Sequence, residues 1–252
     1  RGSGTVVRAL QRCLDLCNQD SSLQPWAFDL PPSTAGGAAA PKRYVAARAM
    51  DFSSAYMALP QEQRHAYEIV RKSKPCWAFF DLERLECTGE ANACAREIAR
   101  VASGLLIERA LELLGRAVSV QVLALDSSRP GKFSRHLILR ARAEPCGTPI
   151  MLSGPPAAGA LARAVVSRLP AEGALVDLAV YGADRCFRLW GSSKLGAPAG
   201  VLALNASRSS SSAAGLEGEL LLRATLVSPN LPRALTLQLG QLAVATQARP
   251  RT

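Results

Sequence analysis

The run CWAFFDLE (76–83) constrains the fold of this chain more than any other stretch. Unbroken apolar residues ending in Asp81-Leu82-Glu83 read as a central strand that carries two carboxylates to a sheet edge. Side chains at i and i+2 of a strand share a face, so Asp81 and Glu83 project together, with Leu82 opposite. Two neighbouring carboxylates repel unless something positive lies between them. A third acid, Asp177, lies in another apolar run, LVDLAV (175–180). In a strand it is costly there unless paired or metal-bound. D-x-E is a common tripeptide, usually a solvated strand end, but the apolar setting and Asp177 favour divalent-metal chemistry.

The remaining segments predict a mixed α/β (α+β) fold without regular β-α alternation or internal repeats. Amphipathic or helical patterns cover 5–18, 51–65 (capped by Asp51 and interrupted near Pro60), 89–116 (stopping at Gly115) and 157–169. Strands are expected at 42–49, 76–83, 119–128 and 132–142, and at 174–182 and 186–193 around a Gly-Ala-Asp turn. Segments 31–41 and 206–215 read as loops, and 218–228 as a last helix or strand. No apolar run is long enough to span a bilayer, and no secretory signal is visible. The chain begins without Met and is expected to belong to a longer product. Its seven cysteines include no C-x-x-C, so neither a disulfide framework nor a four-ligand zinc site follows, and reduced thiols are expected.

The net charge of +10 and the abundance of arginine favour a polyanionic partner, although GC-rich coding gives a similar composition. Two strings make the charge specific. In KFSRH (132–136), Lys132, Ser134 and His136 share a strand face and form a row of donors suited to a triphosphate. A Ser-x-His hydrolase pair is disfavoured, because such side chains point outward in parallel and no G-x-S-x-G elbow is present. In RCFRLWGSSK (185–194), Arg185, Arg188 and Lys194 follow Asp177 and can grip phosphate oxygens.

The order D-x-E, S-x-H, lone Asp resembles the catalytic motifs of the archaeo-eukaryotic primase superfamily. LALDSSRPGKFSRHLIL (123–139) and VDLAVYGADRCFRLWGSSKLG (176–196) resemble, more specifically, the second and third motifs of the eukaryotic PrimPol family. KRYVAA with HAYEIV upstream, and LLRATLVSPN (221–230) downstream, extend the resemblance over roughly residues 40–230. It implies two α/β modules with an RRM-like catalytic sheet. Residues 1–41 would form an N-terminal helix and flexible loop, 42–230 the catalytic core and 231–252 a tail.

The resemblance implies that Asp81, Glu83 and Asp177 hold two Mg²⁺ or Mn²⁺ ions. It implies that Lys132, Ser134, His136, Arg185, Arg188 and Lys194 bind the incoming NTP or dNTP. Arg43 matches a basic family position near nucleotide and template, and Tyr67 an aromatic position near the sugar. The family's zinc module follows the core and is not matched here, so no zinc is expected; its motifs for single-strand DNA-binding proteins are not matched either. The implied activity is template-directed DNA priming and polymerisation in fork repriming and damage-tolerant synthesis, on single-stranded or primed DNA, in nucleus and mitochondrion. The rival readings are a replicative primase small subunit making RNA primers, a non-catalytic nucleic-acid-binding module on the same fold, and a metal-dependent nuclease or phosphohydrolase.

Overall fold

In a computed structural model, residues 5–7, 9–31, 41–85, 89–197, 200–210, 217–231 and 233–239 are described. They form a mixed α/β fold with two sheets and five α-helices. The first sheet has four antiparallel strands, in spatial order β3 (Lys42–Ala47), β2 (Gln24–Asp29), β4 (Ala66–Val70) and β9 (Arg185–Arg188). The three-residue β1 (Thr5–Val7) extends it beside β3.

The second sheet is mixed. The long β7 (Phe133–Ala143) pairs along one edge with β6 (Val118–Asp126). Along the other edge it pairs first with β5 (Ala78–Arg84), then with β8 (Thr148–Leu152). β10 (Ala203–Leu204) closes one side, and β11 (Leu235–Leu237) runs parallel to β8.

The core explains why β5 is so apolar. Phe79, Phe80 and Leu82 are at most 1% exposed and share one cluster with Leu123, Leu125, Ile138 and Leu139. α3 (Gly89–Leu114) and α4 (Pro155–Arg168) cover this sheet. α3 buries Ala91, Ala95, Ile98, Ala102, Leu105 and Ala110, a stripe at helical spacing whose alanines let it lie close. Gly115 ends it with φ 62°, the left-handed conformation that glycine adopts freely. α1 (Leu10–Gln19) covers the first sheet through Cys13, Leu14 and Cys17. α2 (Ala49–Met57) adds Phe52 and Tyr56, with Phe52 stacked on Trp26 at 3.9 Å. α5 (Gly218–Ala224) packs against α2.

Several sequence expectations need correction. Helix 5–18 is shorter, because residues 5–7 pair with β3. α2 starts at Ala49 with Arg48 as its N-cap, and Asp51 sits in the first turn, bonded to Arg48. The predicted strand 174–182 is two 3-10 turns, Glu172–Leu175 and Leu178–Tyr181. Strand 186–193 is confined to β9, which pairs with β4 and forms no hairpin with the Asp177 segment. β2 lies before residue 41 and β11 after residue 231, so both boundaries cross shared sheets. Most of the loop 31–41, Cys87, part of 206–215 and residues 240–252 lie outside the described residues. The other cysteines are free thiols, and no described helix is long and apolar enough to cross a membrane.

Candidate active site

The antiparallel register of β5 and β7 sets the site. Asp81 lies opposite His136, and Glu83 opposite Ser134. The alternation read from both strings therefore holds, and the two rows face each other across one ladder. On its other edge β5 is bridged by the segment carrying Asp177. Leu82 pairs with Val176, and the Asp177 amide donates to the Asp81 carbonyl at 2.9 Å.

Asp177 itself is exposed and caps the second 3-10 turn, its Oδ1 accepting from the Ala179 amide at 2.8 Å. An aspartate that bonds its own backbone two residues on competes with strand formation. Exposed and bonded in this way, Asp177 carries no burial cost. Its closeness to Asp81 remains.

Glu83 and Asp177 both act on Asp81. Asp81 is pushed up to about 7, first by burial, then by the charges of Glu83 and Asp177, against the pull of Arg188 and Lys194. Its Oδ1 is buried without a hydrogen-bond partner. His136 Nε2 stands 3.7 Å from that oxygen, but this is no ion pair. Burial, Arg188 and Lys194 hold the imidazole far below its ordinary value, hence neutral. The His136 ring lies 4.1 Å from Phe187, and its Nδ1 is also buried without a partner.

Arg188 reaches this place from the first sheet, on β9. It is 8% exposed. Its Nη1 donates to the Gly200 carbonyl at 2.8 Å and its Nη2 to Ser127 Oγ at 2.9 Å. Ser127 Oγ in turn donates to Ser134 Oγ at 3.1 Å. Arg188 Nε is buried and unpartnered. Its guanidinium is felt by Tyr67, Asp81 and Glu83, and by Arg129 in the β6–β7 turn. Sequence reasoning missed Ser127 and Arg129; both stand inside the quoted LALDSSRPGKFSRHLIL string, where a serine and an arginine before the turn were the only signal.

The other candidates divide. Lys132 Nζ is bonded to Glu83 Oε2 at 2.9 Å, so it neutralises an acid of the site. Lys194 is exposed, and its charge reaches both Asp81 and His136. Tyr67 lies opposite Arg188 on β4, donates to Asp29 Oδ2 at 2.7 Å and carries the Lys42 ammonium 4.1 Å above its ring. Burial first, then Asp29, pushes the Tyr67 hydroxyl well above its ordinary value.

Two residues stand apart. Arg185 is at the far end of β9, opposite Val70, with its guanidinium against Gly182. Arg43 is on β3, over the Phe28 ring, and lines a separate groove of about 360 Å³ with Phe28, Asp29 and Phe52.

The donor set suits a divalent cation. Three carboxylates supply hard oxygens, and the unpartnered Asp81 Oδ1 points to a missing positive partner. Among the described residues, however, no three His, Cys, Asp or Glu groups stand close enough to form a ready-made cage. Glu83 gives Oε2 to Lys132 and Asp177 gives Oδ1 to its own turn, which leaves each a second carboxylate oxygen for a cation. No protein-family model matches this chain, and no curated protein matches it.

Proposed function

We propose that this chain is a primase-polymerase catalytic core that transfers nucleotides onto a 3′-hydroxyl under the direction of a DNA template. The observation that carries the proposal is the convergence of two sheets on three buried, unpartnered polar atoms: Asp81 Oδ1, His136 Nδ1 and Arg188 Nε. Buried polar groups are nearly always hydrogen-bonded, and of the six such orphans among the described residues these three belong to acids and bases on facing elements, which supports a binding site there.

Asp81, Glu83 and Asp177 would hold Mg²⁺ or Mn²⁺, which would supply positive charge for the attacking hydroxyl and the phosphoryl group. Arg188 and Lys194 neutralise the triphosphate, and Arg188 is fixed for this by Gly200 and Ser127. Ser134 offers its hydroxyl beside Glu83. His136, kept neutral, presents Nδ1 as a donor or acceptor without adding charge. Lys132 becomes available to phosphate when Glu83 turns to the metal. Tyr67 would meet the sugar; its position opposite Arg188, held by Asp29 and Lys42, supports this role.

The Lys132–Glu83 pair favours a second reading, a non-catalytic nucleic-acid-binding module in which Glu83 is permanently neutralised. Incubation with a 5′-labelled primer on a template, dNTPs and Mn²⁺ or Mg²⁺ separates the classes. The proposal requires lengthened primer. Unchanged primer with intact DNA binding supports the module, and shortened primer a nuclease.

A further inference from the structure

Alternation along β7 puts Arg135 and Leu137 on the face opposite Ser134 and His136. On that outer face lies a groove of about 280 Å³ between α3 and the 3-10 turn Ala206–Arg208. Ala95 and Ala99, one helical turn apart, keep the helix wall low. Val122 and Leu137 supply an apolar floor. Arg96 on the helix and Arg208 on the turn rise from opposite walls.

Both arginines are exposed, and neither has an ion pair among the described residues. No acid lines the groove. The acids nearby are already engaged: Asp126 by the buried Arg135, and Glu97 by Arg100. The groove thus carries two guanidinium groups without ion pairs, one on each wall, over Val122 and Ala99 and beside Ser207, Ser209 and Ser210. This suits a chain of alternating phosphates and flat bases better than an isolated anion.

We propose that this groove binds the phosphodiester backbone of single-stranded nucleic acid, away from the candidate active site. The choice of ligand rests on the primase-polymerase reading; the charge and shape of the groove do not. Arg96 and Arg208 each neutralise one phosphate, while bases lie on the half-buried Val122 and Ala99. Each neutralised phosphate on a single strand contributes about 0.7 to the salt slope of binding.

The test is fluorescence anisotropy of labelled oligo(dT) with the whole chain between 50 and 200 mM KCl. Arg96→Ala/Arg208→Ala is compared with Arg12→Ala/Arg116→Ala, which removes two exposed arginines outside the groove. The expected result is a slope shallower by about 1.4 and binding about 25-fold weaker at 0.1 M salt for the groove variant, with the control close to wild type. An unchanged groove variant overturns the proposal, and so does equal weakening of both variants, which reports net charge alone. In either case steep binding by wild type leaves the primase-polymerase reading standing. Wild-type protein that does not bind oligo(dT) overturns both.

Discussion

Replacing Asp81 by Asn should stabilise the metal-free protein while abolishing nucleotidyl transfer. The Asp81 side chain is 17% exposed, faces a neutral imidazole and has one oxygen without a partner. Its carboxyl ionises near 7 in the fold, against about 3.9 in an unfolded chain. The folded state therefore holds a proton that the unfolded state releases. Below about pH 4 both states are protonated and Asp81 costs nothing. As pH rises from 4 to 7 the unfolded state gains, and above 7 the penalty is complete. At 1.36 kcal/mol per pH unit it is about 1–2 kcal/mol at pH 5 and about 4 kcal/mol at pH 8.

Asn imitates the protonated acid at every pH and escapes this cost. In a chain of this size about 4 kcal/mol corresponds to roughly 10 °C in Tm. Thermal unfolding followed by circular dichroism in EDTA, from pH 5 to 8, should show Asp81→Asn above wild type by a gap that widens with pH. Adding Mn²⁺ should raise wild type alone and narrow the gap. A variant no more stable than wild type at pH 8 in EDTA, or a gap independent of pH, would refute the electrostatic account of the site.

Ser127→Ala removes the hydroxyl between Arg188 and Ser134. It should cost about 1–3 kcal/mol in urea unfolding and raise the KM for dNTP more than it lowers kcat. Glu68 is 5% exposed and accepts from the Val227 and Ser228 amides at 2.7 and 3.1 Å, tying the segment after α5 to the first sheet. Glu68→Ala leaves two amides unpaired and should cost about 2–4 kcal/mol, and Glu68→Gln, which keeps one acceptor but turns its NH2 toward the other amide, should recover at most half of that. Tyr67→Ala should shift the choice between ribose and deoxyribose triphosphates in paired incorporation assays; an unchanged preference removes Tyr67 from sugar selection.

What the sequence disclosed was local and periodic. Alternation placed Asp81 with Glu83, and Ser134 with His136, on shared faces, and these are the pairs that meet across the β5–β7 ladder. The apolar run at 76–80 marked a buried strand, and the pattern of α3 with its glycine stop was plain. What escaped depended on distant pairing. β2 contains Pro25, which argues against an interior strand. It is tolerated because pairing with β4 begins only at Trp26, so the missing amide is not needed there. Arg188 reaches the site through β4, over a hundred residues earlier, and no local pattern reports that. Asp177 was misplaced because LVDLAV alternates like a strand, while its side chain caps a turn. Glu83 and Lys132 were read as separate metal and phosphate groups, yet the register that joins β5 to β7 also brings them within 2.9 Å.

The central claim is tested most directly by single-nucleotide incorporation. A primed template is offered one dNTP at a time with Mn²⁺, beside Asp81→Ala with the same circular dichroism spectrum. The account predicts that only the complementary nucleotide adds, and that addition falls by about a thousandfold or more in the variant. Untemplated addition, or addition that survives Asp81→Ala, would contradict it.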